Sequence, residues 1–512
     1  MIFEQQMSYS REKIIREDQS YYNLVELRLK DASRIDFEKV ENKNFKEKLF
    51  DTAHLRLLKA KERGVEKPLV IVWAAYGHQI SAADFFPELL KSCSEEYLSL
   101  NALIKEKMKA LIKSKNYIIR DNKLRVKALN SESARAAQKI ISFLESEERI
   151  KVYQSESELS QEEIYRSLDY KRDLIAVGEI AYPSNYSREH RYPLSFNGSY
   201  FLLEEADWES KYSLLGDHYG LLICEGEIIS PPLFKRSTLL KDQNNNWELK
   251  KPFLSDLSLK LQGKKFNLAN FEVNKEAEFS LYNRYFGVEE NKKALGITPA
   301  AADKIEIIII DNQVVGVKSG GENEIAQNSL ILSLPAAEFE FDPKKSKKVE
   351  YSFNSGKKYQ SALQAGPLLV EDFKLRLAQD TLKEEEFFGA DPKGKRGQFE
   401  RVVPTDYAAD IDQTRAARLA AGISAEGEFC LLAVESVNTG MEAGNESSGA
   451  TLLEMAELAH KRNYKYALNL DGGGSANIQY LYGKLLKTAD RRGLPEVVYE
   501  RMVPVLGFIK QT

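Results

Sequence analysis

Residues Tyr464–Gln479 read YKYALNLDGGGSANIQ and set a carboxylate and three consecutive glycines at the end of an apolar run. Apolar side chains alternate with the others from Tyr464 to Leu470, which predicts a β-strand that ends before the carboxylate. Glycine has no Cβ, so it can adopt positive φ and let a ligand approach the backbone amides. The segment therefore predicts a loop for an anionic or sugar ligand, formed by Asp471, Gly472, Gly473, Gly474 and Ser475.

A run of three glycines is also typical of a tight turn between two strands, and on local grounds this alternative stays open. No Lys follows the glycines in the GxxxxGK[ST] spacing of a phosphate-binding Walker loop. The GxGxxG spacing of a dinucleotide-binding loop, with a helix after it, is also missing. The sequence thus argues against both of these nucleotide-binding classes.

Several further motifs occur with this loop in a fixed order along the chain. They are Ser195–Phe201 (SFNGSYF), Leu281–Gly287 (LYNRYFG), Gln364–Val370 (QAGPLLV), Arg418–Ile423 (RLAAGI) and Ser448–Leu452 (SGATL). Taken in this order, and with the DGGGS loop last, they resemble the motifs of the phosphodiester glycosidase family. Arg501 lies where the family keeps an arginine.

The resemblance implies an α+β domain of largely antiparallel sheets with packed helices. It also implies hydrolysis of the bond between a sugar C1 and phosphate in a phosphodiester, which releases an N-acetylglucosamine-like sugar and a phosphomonoester. A phosphate group leaves easily because its second pKa is near 6, so the reaction needs less acid catalysis than ordinary glycoside cleavage. One carboxylate with cationic side chains on the phosphate would suffice.

Four residues are predicted to be catalytic. Asp471 would stabilise positive charge at C1, orient the attacking water or hold a metal, and its alternative role is to cap the glycine loop. Arg418 and Arg501 would bind phosphate oxygens, and either could instead belong to an ion pair. Glu435 follows the apolar run Leu431–Val434, where the family often has an aspartate, so its carboxylate is displaced by one methylene.

The resemblance also implies a set of substrate-binding residues. Asn197 would donate to sugar hydroxyls, with a turn asparagine as the alternative, and Ser475 would bind phosphate or cap the loop. His218 is the one histidine with a predicted role in binding, and its alternative is a packing role. The full set is Asn197, Gly198, Gln364, Gly366, Gly472, Gly473, Gly474, Ser475 and His218.

The composition argues against nucleic acid and membrane as partners. The chain has 512 residues and a formal net charge of -4, so it has no overall attraction for nucleic acid or an anionic membrane. No stretch of about 18 apolar residues occurs. The expected partner is a small-molecule or glycan phosphodiester, and the sequence identifies no partner for the N-terminal region.

Cysteines 93, 224 and 430 are few and widely spaced, which favours buried thiols over disulfides or a zinc site. No cofactor is predicted. A divalent cation held by oxygen ligands stays open as an alternative.

Two domains are predicted. Residues 1–168 are rich in Lys and Glu and predict a mainly helical N-terminal domain, with helices near 98–112, near 135–144 and from 161, and one buried strand near 69–75. Residues 169–512 are predicted to form the catalytic domain, in which short alternating runs indicate strands. The run Leu452, Met455, Ala456 and Ala459 predicts a helix face that packs inward before the DGGGS strand.

Two other functions stay open. The N-terminus has no apolar signal-like segment, so a cytoplasmic location is expected, or an extracytoplasmic one if a signal was removed. The first alternative function is hydrolysis, inside the cell, of a nucleotide-linked sugar or another small phosphodiester. The second alternative is motivated by two differences from the residues that the family often has, at Glu435-Ser436 and at Ala476-Asn477. This is a carbohydrate-binding or interaction protein that has lost catalysis.

Overall fold

The computed structural model describes residues 7–40, 180–202, 210, 212–213, 216–288, 294–387, 414–436, 447–486 and 501–510. It also describes the backbone of four short strands within residues 56–158.

The strands of the first half of the chain are β1 (Met7–Ile15), β2 (Tyr21–Leu29), β3 (Ile35–Lys39), β4 (Arg56–Leu58), β5 (Tyr117–Arg120), β6 (Lys123–Val126), β7 (Gln154–Glu158), β8 (Leu194–Asn197), β9 (Leu222–Cys224), β10 (Glu227–Ser230), β11 (Thr238–Asp242) and β12 (Trp247–Lys250). They continue with β13 (Leu257–Leu261), β14 (Lys264–Asn267), β15 (Glu272–Val273), β16 (Ser280–Tyr282), β17 (Ala300–Ile310), β18 (Gln313–Gly321), β19 (Ser329–Pro335) and β20 (Val349–Phe353).

The strands after residue 353 are β21 (Tyr359–Gln364), β22 (Leu368–Glu371), β23 (Lys374–Leu375), β24 (Arg418–Ser424), β25 (Phe429–Val434), β26 (Tyr464–Asn469), β27 (Ile478–Tyr480), β28 (Gly483–Lys484) and β29 (Val505–Ile509). The α-helices in the described ranges are α1 (Pro183–Glu189), α2 (Gln379–Glu384) and α3 (Leu452–Lys461). Short 3₁₀ turns span Ala32–Arg34, Leu254–Asp256, Leu268–Asn270 and Gly473–Ser475.

The predicted fold class is wrong. Strands account for 47% of the structure and helices for 12%, so the molecule is mostly β-sheet, and the sheets are not accompanied by a layer of packed helices. The N-terminal part is also not helical where it is described, because β1, β2 and β3 lie within residues 7–40. The charged side chains of β1 are exposed on an edge strand, and in sequence such a segment has the composition of a solvated helix.

A seven-stranded antiparallel sheet with the order β1-β2-β25-β24-β26-β22-β23 carries the DGGGS strand near its centre. β2 pairs with β25 over the register Leu24–Val434 to Leu29–Phe429, so the first strands of the chain are joined to some of its last. Helix α3 packs on β22 and β26. Its N-cap Thr451 and Glu454 form a capping box.

A second, five-stranded sheet has the order β28-β27-β8-β29-β3, and the DGGGS loop crosses to it from the seven-stranded sheet. The other larger sheets are β10-β9-β21-β11-β12, β14-β13-β20 and β15-β16-β19-β17-β18. The loop therefore lies at a junction between two sheets, and both sheets include N-terminal strands.

Several local predictions are confirmed. The strand predicted before Asp471 is β26, and the inward-facing residues predicted for α3 are buried: Leu452, Met455, Ala456 and Ala459. These predictions succeeded because the spacing of apolar residues in each segment matches the period of the element that the segment forms.

The helices predicted near 98–112, near 135–144 and from 161, and the strand predicted near 69–75, lie outside the described residues. The domain boundary near residue 168 also lies outside them and stays a prediction. Within the described ranges, no helix combines the length and apolar character needed to cross a membrane.

Candidate functional site

The DGGGS loop is held against two neighbouring strands by its backbone. The Asp471 amide donates to the Gly198 carbonyl at 3.2 Å, and the Gly473 amide donates to the Ala417 carbonyl at 2.8 Å. Gly198 directly follows β8, and Ala417 directly precedes β24. The loop is therefore fixed on both sides and presents Asp471 at the junction of the two sheets.

The first two glycines of the loop have different reasons to be glycine. A Cβ on Gly472 would lie 2.8 Å from the Ala417 carbonyl oxygen, which is a backbone clash. Gly473 has φ +56 with open space around its Cα, so the backbone conformation rather than crowding favours glycine there. Gly474 is buried within the same 3₁₀ turn. Three successive glycines thus allow a tight turn that passes close to Ala417.

The electrostatics of Asp471 differ from those of an ordinary surface aspartate. Burial raises the pKa of its half-buried carboxyl group to about 6, and the Arg501 charge and hydrogen bonds from Ser475 and Gly472 act in the opposite direction. A carboxyl group with this pKa changes charge close to neutral pH. Perturbed carboxyl groups of this kind are concentrated at functional sites.

Arg501 and Asp471 are connected through Ser475. The Arg501 Nη1 donates to the Ser475 Oγ at 3.1 Å, and the Ser475 hydroxyl hydrogen-bonds the Asp471 carboxylate. Ser475 itself is buried. The predicted carboxylate, hydroxyl and guanidinium therefore lie together.

Asn197 supports the loop. Its Nδ2 donates to the Asp471 carbonyl at 2.7 Å, and its Oδ1 accepts the Asn477 amide at 2.8 Å. Gly198 continues this close packing, since a Cβ there would lie 2.7 Å from the Val505 Cγ1. The contacts of Asn197 bind both ends of the DGGGS turn, and its role toward a sugar stays a prediction.

Arg418, the first residue of β24, is buried next to the loop, with its Cδ 3.8 Å from the position of a Cβ on Gly472. Its Nε donates to the Ala450 carbonyl at 3.1 Å and its Nη2 to the Thr414 carbonyl at 2.6 Å. These bonds fix the plane of the guanidinium without neutralising its charge. Arg418 therefore adds a second cation on the Ala417 side of the loop.

Gln364 and Gly366 lie on the segment that enters β22. The buried Gln364 side chain accepts the Leu221 amide and donates to the Phe234 and Arg236 carbonyls, so its described contacts are to backbone. Gly366 has φ +121, and its amide donates to the Asn469 carbonyl at 2.8 Å. Gly366 is thereby joined to the strand that leads into the DGGGS loop.

Sequence reasoning gave no role to Tyr200 and Asn469, which lie beneath Asp471. The Tyr200 hydroxyl donates to the Gly366 carbonyl at 2.6 Å, and the Asn469 Nδ2 donates to the Tyr200 hydroxyl at 2.8 Å. Burial, followed by the nearby Asp471 charge, raises the pKa of Tyr200. Tyr200 lies in the SFNGSYF motif and Asn469 lies in the strand before DGGGS. Their positions within these segments could have identified them as candidate site residues.

Glu385 is a third residue that the sequence reasoning missed. Its buried carboxylate accepts the Leu368 amide at 2.7 Å and the Ser237 amide at 3.0 Å, and burial raises its pKa. It thus fixes the start of β22 just after Gly366. In sequence Glu385 belongs to the charged run Lys383–Glu386, which gives no sign that its side chain is buried.

Glu435 is held in an ion pair. Its fully buried carboxylate is bound by Arg11 Nη2 at 2.8 and 2.7 Å and by Asn23 Nδ2 at 2.9 Å. These contacts join the end of β25 to β1 and β2. They provide a structural role for Glu435, and its predicted catalytic role stays a prediction.

His218 lies in a different buried group. Its Nδ1 is 3.9 Å from the Asp311 Oδ1, and Asp311 also pairs with Lys39 Nζ at 2.5 Å. Burial lowers the pKa of His218 to about 4, so the imidazole is neutral at neutral pH. The contacts described for its ring are with this group rather than with Asp471.

No group of three or more His, Cys, Asp or Glu side chains suited to a metal ion is found within the described ranges. Cys224 and Cys430 are free thiols, and burial raises the pKa of each to about 12. Cys93 lies outside the described residues. Around Asp471, the side chains brought together are a carboxylate, a hydroxyl, two guanidiniums and amides.

Comparison with known proteins places this site in a family region. Residues 304–506 match the family model described as phosphodiester glycosidase. The matched region includes Arg418, Asp471, Ser475 and Arg501. No curated protein sequence matches the chain. The described residues around the DGGGS loop that follow residue 303 thus lie within the matched region.

Three solved structures are similar to the chain over 99% of its length. A hypothetical protein from Synechocystis has 12% identity and a TM-score of 0.42, and the alignment covers 62% of that protein. A putative exported protein from Burkholderia pseudomallei has 13% identity, a TM-score of 0.42 and 96% coverage. The zebrafish N-acetylglucosamine-1-phosphodiester alpha-N-acetylglucosaminidase catalytic domain, auto-inhibited by its pro-peptide, has 9% identity, a TM-score of 0.36 and 83% coverage.

The chain spans less than two thirds of the Synechocystis protein, and scores of this size carry no argument about function. The motif order and the family model agree independently of them. The resemblance to the phosphodiester glycosidase family that the motifs predicted is therefore confirmed, with the family region at residues 304–506.

Proposed function

We propose that this protein hydrolyses the bond between a sugar C1 and the phosphate of a phosphodiester. Water adds to C1, the C1–O bond breaks, and the phosphomonoester leaves with the bonding electrons. The sugar is N-acetylglucosamine-like, as the motif resemblance implies. The family region at residues 304–506 and the side chains around Asp471 support this proposal.

The ionised Asp471 carboxylate stabilises the positive charge that develops at C1 and accepts the proton of the attacking water. Arg501 and Arg418 stabilise the charge that collects on the leaving phosphate, because guanidinium groups match phosphate oxygens in geometry. Ser475 holds the orientation of Asp471 relative to Arg501. Each role uses a group that the fold places at one end of β26.

The observation that carries the proposal is the arrangement of Asp471, Ser475 and Arg501. A carboxyl group that titrates near pH 6 lies beside a guanidinium and is bridged to it by a buried hydroxyl. A loop cap alone needs neither the elevated pKa nor the adjacent cation. The combination suits a reaction that separates a glycosyl cation from a phosphate anion.

The test is release of sugar and phosphomonoester from an N-acetylglucosamine-1-phosphodiester by the purified chain, with and without a chelator. Asp471→Asn should lower the rate by about 100-fold or more, which is typical for loss of an acid–base group. The exposed carboxylate variant Asp303→Asn is the matched control and should leave the rate unchanged.

Stability separates catalysis from loop capping. Folding raises the pKa of the Asp471 carboxyl group from 3.8 to about 6, so the protonated group stabilises the folded state below pH 3.8. That contribution is lost as the pH rises through about 6. Asp471→Asn should therefore be at least as stable as the parent chain at pH 7. If the variant instead loses both activity and folding, the loop-cap role replaces the catalytic one.

The substrate panel should include a sugar nucleotide, because a nucleotide-linked sugar contains the same kind of C1–phosphate bond. Faster cleavage of the nucleotide than of the glycan phosphodiester would move the substrate assignment to that class. Saturable sugar binding without product from either compound would contradict hydrolysis and support a binding protein.

A further inference from the structure

A buried polar cluster lies in the sheet β15-β16-β19-β17-β18, which does not contain Asp471. Glu306 of β17 is directly opposite Ser333 of β19, so their side chains project from the same face of the sheet. Thr298 and Asn323 lie against this face. All four residues are at most 1% exposed.

Neutral donors occupy one oxygen of the Glu306 carboxylate. Oε2 accepts the Thr298 hydroxyl at 2.7 Å and the Asn323 Nδ2 at 2.5 Å. Thr298 and Asn323 also bind each other, through Asn323 N to Thr298 Oγ1 and Thr298 N to Asn323 O, both at 2.9 Å. The cluster is therefore fixed by its own hydrogen bonds.

Three other oxygens of the cluster have no hydrogen-bond partner in the described part of the chain. They are Glu306 Oε1, Asn323 Oδ1 and Ser333 Oγ, and each is closed to solvent. Exchanging the positions of the Asn323 Oδ1 and Nδ2 would place Oδ1 against Glu306 Oε2, which is also an acceptor. This exchange is therefore unfavourable, and Oδ1 stays the atom without a partner. The cluster thus offers two unpartnered acceptors and a hydroxyl that can also accept.

The charge of Glu306 is not balanced by a side chain of the described residues. No Lys, Arg or His among them forms an ion pair with it, although the carboxylate is fully buried. Buried carboxylates are normally paired with a cation or bound to a metal. A buried group left without a partner calls for a specific explanation, such as an ion.

We propose that Glu306 Oε1, Asn323 Oδ1 and Ser333 Oγ bind a hard cation, Ca²⁺ or Na⁺. A carboxylate, an amide carbonyl and a hydroxyl are oxygen ligands of the type that such ions take, and no nitrogen or sulfur ligand is involved. All three oxygens are closed to solvent, so protein oxygens rather than bulk water would surround the ion. The ion would cross-link β17, β19 and the segment of Asn323.

The test is thermal unfolding of the full chain after chelator treatment and dialysis into a buffer without metal cations. CaCl₂ or NaCl should raise the midpoint in a saturable way by at least about 3 °C, as expected for a ligand of the folded state. Choline chloride at equal ionic strength should not. The two salts, added separately, show which cation binds.

Glu306→Gln should remove the cation-dependent shift, whereas Glu350→Gln, which changes an exposed carboxylate of β20, should keep it. Ser333→Ala is a milder second variant that should weaken the shift, and it decides the matter if Glu306→Gln does not fold. The proposal is overturned if neither salt shifts the midpoint, or if the shift survives in both cluster variants. A Glu306→Gln protein that exceeds the parent in stability at saturating salt would also overturn it.

Discussion

At the scale of single residues, Asp471 shows how the environment rather than the residue type sets the chemistry. The same carboxylate in a solvated loop would be ionised throughout the neutral range. Burial at the junction of two sheets raises its pKa to about 6, although Arg501 and Ser475 partly oppose this. Glu435 is a fully buried carboxylate with a different environment, because Arg11 binds it as a structural partner that accounts for its burial.

The pH dependence of activity follows from Asp471. If the ionised carboxylate is the active form, the rate should rise with pH through about 6 and level off above 7. The measurement is kcat/KM from pH 4.5 to 8.5, with kcat determined separately. A rate that falls as the pH rises through 6 would instead assign Asp471 as a proton donor.

A second prediction at this scale concerns His218. Its pKa is about 4 in the folded state and near 6.5 when exposed, so the unfolded chain binds a proton between these values that the folded chain does not. The stabilisation present above pH 6.5 should be lost as the pH falls through 4, by up to about 3 kcal/mol. His218→Gln should therefore flatten the pH dependence of the free energy of unfolding.

Urea unfolding at pH 7, 6, 5 and 4 would measure this effect. The matched control is His190→Gln, which changes an exposed histidine and should keep the parent slope. Equal slopes for the parent and His218→Gln would show that protonation of His218 does not contribute to acid unfolding.

At the scale of elements, the DGGGS turn connects two strands that belong to different sheets. β26 ends in the seven-stranded sheet, and β27 begins in the sheet with β8 and β29. The turn must cross between them while it passes close to Ala417. Gly472 is thus required for the close passage by Ala417, and the position of Asp471 follows from the crossing.

Gly472→Ala and Gly473→Asn should have different effects. The new Cβ at Gly472 would lie 2.8 Å from the Ala417 carbonyl oxygen, so the loop must move, at a cost of about 1–3 kcal/mol and with loss of activity. Gly473 has open space and a left-handed φ that Asn can adopt, so Gly473→Asn should cost less than about 1 kcal/mol.

Thermal unfolding and the phosphodiester assay on both variants provide the test. Similar losses for the two substitutions would mean that general rigidity, rather than the contact with Ala417, limits this turn.

At the scale of the whole molecule, residues 7–40 are part of the sheets that build the site. β2 lies between β1 and β25, and β3 extends the sheet that contains β8 and β29. Val25, Leu27, Ile35 and Phe37 belong to the same buried cluster as Leu468 and Ile478, on either side of the DGGGS loop. The N-terminal strands therefore contribute to the core beneath Asp471.

A chain that begins at residue 169 should not fold. It would lack the strands that cover β25 and β29, and it would leave the buried Lys241 without its partners Ser33 O, Ile35 O and Asp36. An unpaired buried ammonium group is strongly destabilising. A chain of residues 7–512 is the control and should unfold cooperatively, like the full chain.

Circular dichroism and thermal unfolding of the two shortened chains would measure this. Cooperative unfolding and full activity of residues 169–512 would support the predicted boundary at residue 168 and contradict a structural requirement for β1 to β3.

The sequence by itself determined the parts of this protein that depend on local pattern. Alternation predicted β26, helical spacing predicted the buried face of α3, and the ordered motifs identified the family region around Asp471. Each of these signals is contained in a window of a few residues, or in the order of such windows. They required no knowledge of which distant segments meet.

Only the tertiary structure decided which distant segments meet. Arg11 binds Glu435 across 424 positions, and β1 to β3 join strands from the other end of the chain, so the predicted helical N-terminus is wrong where it is described. The sequence does not show which strands pair over such separations. The periodicity of a strand reports which of its side chains are buried, and not which strand lies beside it. The contacts that bring Ser475 to Arg501 and Tyr200 to Gly366 follow from this packing.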